Sequence, residues 1–578
     1  MSPALSKSLI DILLASGVPS REDATALTAN LNGNSWTEEV LNSGKVDEQK
    51  FLNAIGDFFN VPVVSVDSKR IERATLGVLP SRFVFQHQIL PIEIKEKSIV
   101  LATFDLFNST GRQLVSQLLD KPAEWVLAPR GQILRAMKTL YGVGAETFDE
   151  ILKTNRSFEA LQDIEVSTDL NADDPEASVV KFVNQIIREA IHERATDIHV
   201  EPLENDLRIR YRIDGILHEV AVPPQLRLLQ SAIISRLKVM AHMDIAERRL
   251  PQDGRINLES ADQKIDVRVS TIPTVNGESI SLRLLSRTEQ QFGFDRLDMS
   301  PQQSTIIRNL LAQPNGIILI TGPTGCGKST SLYCFLSSIN SVQRRIITIE
   351  EPVEYRLPGV SQIDVKPEID LTFAKGLRHI LRQDPNVVMV GEIRDVETAD
   401  IAIRAAMTGH LVFSTLHTND AVGGITRLLD MEVEPFLLAS VVKAFLAQRL
   451  VRTICPDCVE TIEYPKEYLD EIIFPYEKGM TFRRGAGCEN CRQTGYQGRL
   501  AIYEICLVTE PLKRLIMQKR DGGELKQCAI SQGMLTLRQD GWRRVVEGKT
   551  TIEEVVRVTQ TDEVMAETTG FAEPVVAR

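Results

Sequence analysis

The stretch "GPTGCGKS", residues 322–329, has the spacing G-x-x-x-x-G-K-[ST] in full. That spacing suits a chain of phosphates. Its glycines let backbone N–H groups approach phosphate oxygens, and a helix starting at the lysine adds favourable partial charge. The flanks agree: "GIILIT" reads as a buried strand before the loop, and "STSLYCFLSSI" as a helix after it. Gly322, Pro323, Thr324, Gly325, Cys326, Gly327, Lys328, Ser329 and Thr330 are therefore expected to wrap a nucleotide, ATP. Lys328 would reach the β- and γ-phosphates, and Ser329 would ligate Mg²⁺. The competing reading, a chance Gly-rich turn before a helix, does not explain both flanks.

A phosphate loop needs a partner strand carrying an acid. In "NVVMVGEIRD", residues 386–395, the apolar run Val387–Val390 ends in Gly391 and Glu392. Glu392 is expected near the γ-phosphate, acting on water or on Mg²⁺ through water; the bland alternative is an exposed glutamate at a strand end. A second acid cluster, "TIEEPVEY", places Glu350, Glu351 and Glu354 after another strand. Three carboxylates at one strand end repel one another unless cations stand near. A general base must come within hydrogen-bond reach of the attacking water, and Glu354 and Glu392 are both candidates. "TGHLVFSTLH" adds His410 and His417 around a third strand. A lone histidine is more often structural, whereas two flanking a strand beside a phosphate loop could sense the γ-phosphate.

Four of the eight cysteines form two C-x-x-C pairs, Cys455/Cys458 and Cys488/Cys491, 29 residues apart. Two such pairs suit tetrahedral thiolate ligation of structural Zn²⁺, with redox pairs as the alternative. The glycines of "AGCENCRQTGYQGR" allow backbone N–H groups to turn towards sulfur. Cys326, Cys334, Cys506 and Cys528 read as packed residues.

These groups must be positioned by elements legible along the chain. At 578 residues, three to five domains are expected. Residues 1–145 mix helical patterns with short strands such as "SIVLATF" and read as one small domain or two. Residues 146–177 hold ten acids against two bases and read as an acidic linker. The net charge is −12, and about −8 of it sits in that linker. The remainder is near neutral, which gives no electrostatic case for direct nucleic-acid binding. Residues 178–288 read as an α+β domain. Val179, Val180, Val183, Ile186, Ile187 and Ala190 share one helical face, and Arg208, Arg210 and Arg212 alternate along a strand. A Gly-containing connection at 286–297 is a candidate hinge. From residue 289 to 578 strands alternate with helices, an α/β pattern with a largely parallel buried sheet. A phosphate-loop core needs residues only to about 450, with a cysteine module at 453–498 and helices after it. No apolar run reaches the roughly 20 residues that span a bilayer, and the first residues lack a signal-peptide pattern. The expected location is cytoplasmic.

The motifs "ITIEEPVEY", "LRQDPNVVMVGEIRDVETA" and "TGHLVFSTLHTNDA" resemble the Asp box, Walker B and His box of the secretion ATPase superfamily. That superfamily includes the motors of type II secretion and type IV pilus assembly. "TDIHVEP", "RYRIDG", "IAERRLPQDGRI" and "VRVSTIPT" resemble its second N-terminal domain, and the C-terminal stretch at 533–559 fits as well. The resemblance covers roughly residues 178–560. It implies a RecA-like ATPase domain with a four-cysteine zinc insertion, preceded by a PAS-like α+β domain and a small N-terminal α/β domain for partner docking or regulation. It implies that arginines of the second N-terminal domain, here Arg255 and Arg268 with Arg210 as a further candidate, face nucleotide in a neighbouring subunit. The plain alternative for each is a surface salt bridge. Glu351 stands where the family's Asp box has aspartate. Some relatives bind cyclic di-GMP through an N-terminal Arg-Leu-Gly motif, which residues 1–145 lack.

The function implied is a homo-hexameric ATP hydrolase peripheral to the inner membrane. It would drive pseudopilus or pilus assembly through a membrane platform protein and cytoplasmic recruitment proteins, with membrane contact only through those partners. Two other readings stay open: a motor for a DNA-uptake pilus or conjugation-type transport, and a regulatory nucleotide-binding module with weak hydrolysis.

Overall fold

A computed structural model describes residues 3–29, 36–67, 71–76, 78–141, 178–222, 226–260, 263–286, 292–477, 479–488 and 490–559. The linker reading at 146–177 and the hinge residues 287–291 lie outside the described residues. Contacts divide the chain into two compact units, Met1–Thr288 and Glu289–Arg578. No helix among the described residues is long and apolar enough to cross a membrane.

In the first unit, helices Pro3–Ala15, Arg21–Ala29, Trp36–Asn42 and Glu48–Phe59 precede a three-stranded sheet of Leu90–Ile94, Ile99–Thr103 and Ala123–Leu127. Helix Glu48–Phe59 shows the local logic. Asp47 caps it by accepting the Lys50 N–H, and Asn60 ends it at φ +52°. Phe51, Leu52 and Ile55 lie on its buried face. Leu9, Phe51, Leu101 and Ile133 belong to one core, so helices and sheet are packed together.

Beyond the acidic stretch, helix Ser178–His192 buries Val179, Val180, Val183, Ile186, Ile187 and Ala190, the face its periodicity marks. It packs on a six-stranded antiparallel sheet in the order Ile216–Val220, Leu207–Ile213, Asp197–Pro202, Gly277–Ser286, Gln263–Thr274, Gln252–Ser260. The strand "LRIRYRI" alternates strictly: Leu207, Ile209, Tyr211 and Ile213 are buried, and Arg208, Arg210 and Arg212 point to the other face. A buried ion pair, Lys238 Nζ to Glu278 Oε1 at 2.6 Å, sits in this domain. The same ammonium donates to Glu247 O at 2.6 Å, so it holds a loop as well as a strand. Removing either partner would leave a buried charge uncompensated.

The second unit is built on a seven-stranded sheet in the order Ser361–Asp364, Ile346–Glu350, Val387–Val390, Leu411–Leu416, Gly316–Thr321, Val442–Ile454, Tyr496–Leu507. All neighbouring pairs run parallel except the last, which is antiparallel. Strands Gly316–Thr321, Ile346–Glu350, Val387–Val390 and Leu411–Leu416 are buried at every position. Sheet burial on both faces explains why each reads as an unbroken apolar run. One expectation is corrected: the phosphate-loop core does not end near residue 450. The sheet's last strand is Tyr496–Leu507, and the cysteine module is the long connection of its hairpin with Val442–Ile454.

Candidate functional site

The phosphate loop joins the strand Gly316–Thr321 to the helix Lys328–Ile339. Gly322, Gly325 and Gly327 have φ of +148°, +79° and +92°. At Gly322 a Cβ would lie 2.7 Å from Gln448 O and 2.6 Å from Cys326 Sγ, so the first glycine of the motif is required by backbone shape and by space together. Lys328 Nζ donates to Gly322 O at 2.7 Å and Pro323 O at 3.1 Å, curling over the loop it follows. Burial lowers its pKa, and the Glu392 carboxylate opposes that shift. Ser329, the expected Mg²⁺ ligand, lies in the first turn of the helix. Cys326, a residue of the loop itself, is buried, and burial pushes its thiol pKa up.

Because the strands are parallel, their carboxyl ends line one edge of the sheet. Thr321 pairs with Leu416, and Val390 with Ser414. Glu392 and His417 therefore emerge from neighbouring strands, and His417 lies on the strand next to the phosphate loop. His417 Nε2 is 3.2 Å from Glu392 Oε2. Arg394 pairs with Glu392 Oε1 at 2.5 Å and with Glu351 Oε2 at 2.9 Å. Thr415 Oγ1 donates to Gly391 O at 2.7 Å, which pins the turn that carries Glu392.

The three acids of "TIEEPVEY" separate. Glu350 is buried, and Tyr333 Oη, Thr348 Oγ1 and Gln362 Nε2 all donate to it. Burial raises its pKa and the hydrogen bonds oppose that, so it serves as an internal tie. Glu351 faces Arg394, the cation that the clustered acids need. The Glu354 backbone N–H donates to Tyr333 Oη at 3.2 Å, which anchors its turn beside the phosphate-loop helix.

The pairing of the two histidines does not hold in the structure. His410 precedes the first residue of the strand Leu411–Leu416, and His417 follows the last. Six residues of extended chain, at about 3.3 Å each, put roughly 20 Å between them. His410 sits at the amino edge of the sheet, with Nδ1 2.8 Å from Ala405 O and 3.2 Å from Thr408 Oγ1. Only His417 shares the edge with the phosphate loop.

The domain of residues 178–286 carries a row of arginines. Arg255 is directly opposite Arg268, and Arg268 is opposite Arg283, so the three side chains share one face. The row continues through Asp197 to Arg212. Asp197 pairs with Arg283 at 3.2 Å and with Arg212 at 3.5 Å. Arg210 pairs with Glu201, which also holds Arg208. The sequence reading missed Arg283. The signal was the alternation in "SISLRLLS", but only strand register shows that this arginine completes the row.

Cys455, Cys458, Cys488 and Cys491 come together, with all four sulfurs within 4.8 Å of one another. The nearest separations are 3.7 Å for Cys455–Cys488, 3.7 Å for Cys458–Cys491 and 3.6 Å for Cys488–Cys491. Sulfurs about 2.3 Å from a central ion in a tetrahedron lie about 3.8 Å apart, whereas a disulfide would need about 2.05 Å. The donor set therefore fits a tetrahedral metal ion. Backbone N–H groups of Gly487, Cys488 and Gly495 donate to sulfur, as thiolates require. Burial pushes the Cys491 thiol up, but the N–H groups of Cys488 and Gly495, together with the Cys488 and Cys458 thiols beside it, bring it down.

A phosphate-binding loop at a helix start, on a parallel sheet whose next strands present acid and histidine at the same edge, defines a P-loop ATPase. The family described as type II/IV secretion system protein matches residues 172–557, and a MshEN domain matches residues 59–147. The chain belongs to the type II/IV secretion system protein family. It is 40% identical over 543 residues to the type IV pilus assembly ATPase PilB of Myxococcus xanthus, covering 92% of this chain and 94% of that one. It is 40% identical over 534 residues to type II secretion system protein E of Xanthomonas campestris, covering 89% and 92%. Among solved structures, the pilus retraction motor PilT with bound ADP is 26% identical, with a TM-score of 0.44, covering 65% of this chain and 97% of that one.

Proposed function

We propose that this chain hydrolyses ATP to drive assembly of a type IV pilus or a type II secretion pseudopilus, working as a homo-hexamer through an inner-membrane platform protein. The observation that carries the hydrolysis reading is the contact of Glu392 with His417 at the edge that holds the phosphate loop. Gly322–Thr330 bind the phosphates, Lys328 neutralises the β- and γ-phosphates, and Ser329 holds Mg²⁺. Mg²⁺, when bound, offsets charge developing on the phosphates. Glu392 or Glu354 takes the proton from the attacking water. His417, with one ring nitrogen on Glu392, orients that carboxylate and reports on the γ-phosphate.

The arginine row supports a ring. Arg255 and Arg268 stand opposite each other on one face of the sheet, beside an Arg283 that is paired with Asp197, and planar guanidinium forks set in a row suit an anion laid against that face. Nucleotide phosphate held by a neighbouring subunit would be such an anion, with Arg255 and Arg268 as its contacts. In the cysteine module Zn²⁺ is a structural ion, because four thiolates leave no open coordination position. Nothing in the arginine row favours direct DNA contact over nucleotide, since Arg208, Arg210, Arg212 and Arg283 are already paired with Glu201 and Asp197.

The test is steady-state ATPase activity of the full chain, with and without the cytoplasmic domain of a platform protein, alongside the oligomeric state with ATP. Turnover that rises on assembly and on adding the platform domain supports the motor reading. Nucleotide binding with negligible turnover under both conditions would leave only a regulatory nucleotide-binding module.

A further inference from the structure

One buried carboxylate of the ATPase domain has no part in the chemistry above. Glu504, 1% exposed, lies on the strand Tyr496–Leu507. Its Oε1 accepts the Ala421 backbone N–H at 2.8 Å, and its Oε2 accepts the Leu537 N–H at 3.2 Å. Ala421 caps the helix Val422–Asp430, and Leu537 opens the helix Leu537–Val546. One carboxylate thus sits between two helix N-termini, where backbone dipoles favour negative charge.

Each end of this bridge leads somewhere. Ala421 closes the loop 417–421, which begins with His417. The loop is tied at other points: Thr321 Oγ1 donates to Asp420 O at 3.2 Å, and Arg449 donates to Asn419 O at 2.8 Å. Thr321 is the last residue before the phosphate loop. On the other side, the helix Leu537–Val546 carries Asp540, which is buried and accepts from Gln303 Nε2 at 2.9 Å and Tyr503 N at 2.8 Å. Arg544 on the same helix is buried and pairs with Asp298 at 3.0 Å. The C-terminal stretch 533–559 therefore connects the start of this domain to the loop bearing His417, and Glu504 is the junction.

We propose that Glu504 is a positioning residue for hydrolysis: by holding the Ala421 and Leu537 N–H groups at once, it fixes the His417 loop against the C-terminal helices. The inference rests on reading the phosphate-loop edge as the hydrolysis site. Titration adds support. Burial pushes the Glu504 carboxyl up to about 7, with Asp420 adding to the shift and Lys526 opposing it; Arg449 and Cys506 also feel its charge. Lys526 Nζ is 3.7 Å from Asp420 Oδ2, so these two groups offset each other beside it. Protonation turns one acceptor oxygen into a donor facing an N–H group, and one of the two bonds is lost.

The experiment compares the full-length wild-type chain with Glu504→Gln and Glu504→Asp. Gln keeps the size but has only one acceptor oxygen; Asp keeps the charge but is one methylene too short to reach both N–H groups. Both are expected to lower kcat about ten- to a hundredfold, the scale of a displaced active-site group, with KM and nucleotide affinity within about threefold. Wild-type kcat should fall on acidification through about pH 7, and Glu504→Gln should lack that component. Because the folded-state pKa is raised, the stability Glu504 contributes is present at low pH and lost as pH rises through about 7. Glu504→Gln should therefore be no less heat-stable than wild type at pH 8. Two folded variants with wild-type kcat would overturn the inference. So would failure of both to fold, since the role would then be structural only. Lys328→Ala in the same assay separates the two levels: if it too retains turnover, the hydrolysis site has been misassigned; if it is dead, only the role of Glu504 is rejected.

Discussion

Replacing Glu392 with glutamine isolates the chemistry from the binding. The substitution changes one oxygen for nitrogen and keeps the shape. Arg394 still has Glu351 at 2.9 Å, and the amide oxygen can still meet His417, so the local geometry persists. The Glu392–Arg394 pair is largely exposed on the arginine side, and such pairs contribute about 0–1 kcal/mol. Melting should therefore shift by no more than about 2–4 °C. ATP affinity should hold or tighten: on the proposed reading the loop and Lys328 make the phosphate contacts, and a negative charge that Lys328 feels has been removed. Loss of a general base costs about 10²–10⁴ in rate, which is roughly 2.7–5.4 kcal/mol of barrier at 1.36 kcal/mol per decade. The assay pairs equilibrium binding of a fluorescent ATP analogue with single-turnover hydrolysis, so that assembly and product release do not mask the chemical step. Normal binding with hydrolysis near wild type would refute the role of Glu392 and pass it to Glu354. Lost binding would instead make Glu392 chiefly a metal-site residue.

The other expectations are direct. Lys328→Ala should abolish turnover, and retention of near-wild-type kcat would remove the phosphate-loop assignment. Elemental analysis should find about one Zn²⁺ per chain; absence of zinc with the four cysteines oxidised in pairs would reject the metal site. Stripping the metal, or making Cys491→Ser, should first loosen the hairpin connection, and nucleotide binding should outlast it, since the phosphate loop hangs on a different strand and helix. Arg268→Ala should lower kcat while leaving nucleotide affinity nearly intact. Mixed with Lys328→Ala subunits it should recover single-turnover activity if the arginines act between subunits, and stable mixed rings with no recovery at any ratio would place them within their own subunit.

Much of this protein is determined locally. The phosphate loop is a contiguous string, so the strand, the glycine turn and the helix around Gly322 to Thr330 were legible without any fold. The C-x-x-C pairs are similar, because two short-range pairs need only be folded together. Strands buried on both faces announce themselves as apolar runs, and helix Ser178–His192 by its period. Where two elements meet inside one apolar run the signal fails: "FLLASVVKAFLA" divides into the helix Pro435–Val441 and the start of the strand Val442–Ile454. Apolar character runs on through the junction, so sequence pattern has nothing to mark it.

What tertiary structure alone decided are the relations across elements. His410 and His417 look equivalent as flanks of one strand, yet strand direction sends them to opposite edges of the sheet, and only one meets Glu392. Glu350 and Glu351 are neighbours in sequence, but alternation turns the first inward to Tyr333 and the second outward to Arg394. Arg255, Arg268 and Arg283 line up through the register of three strands, and Glu504 joins residues 421 and 537. A sequence fixes which groups exist and what each can do within a turn or two of chain. Register and strand order, set by how distant apolar faces pack, fix which of those groups act together.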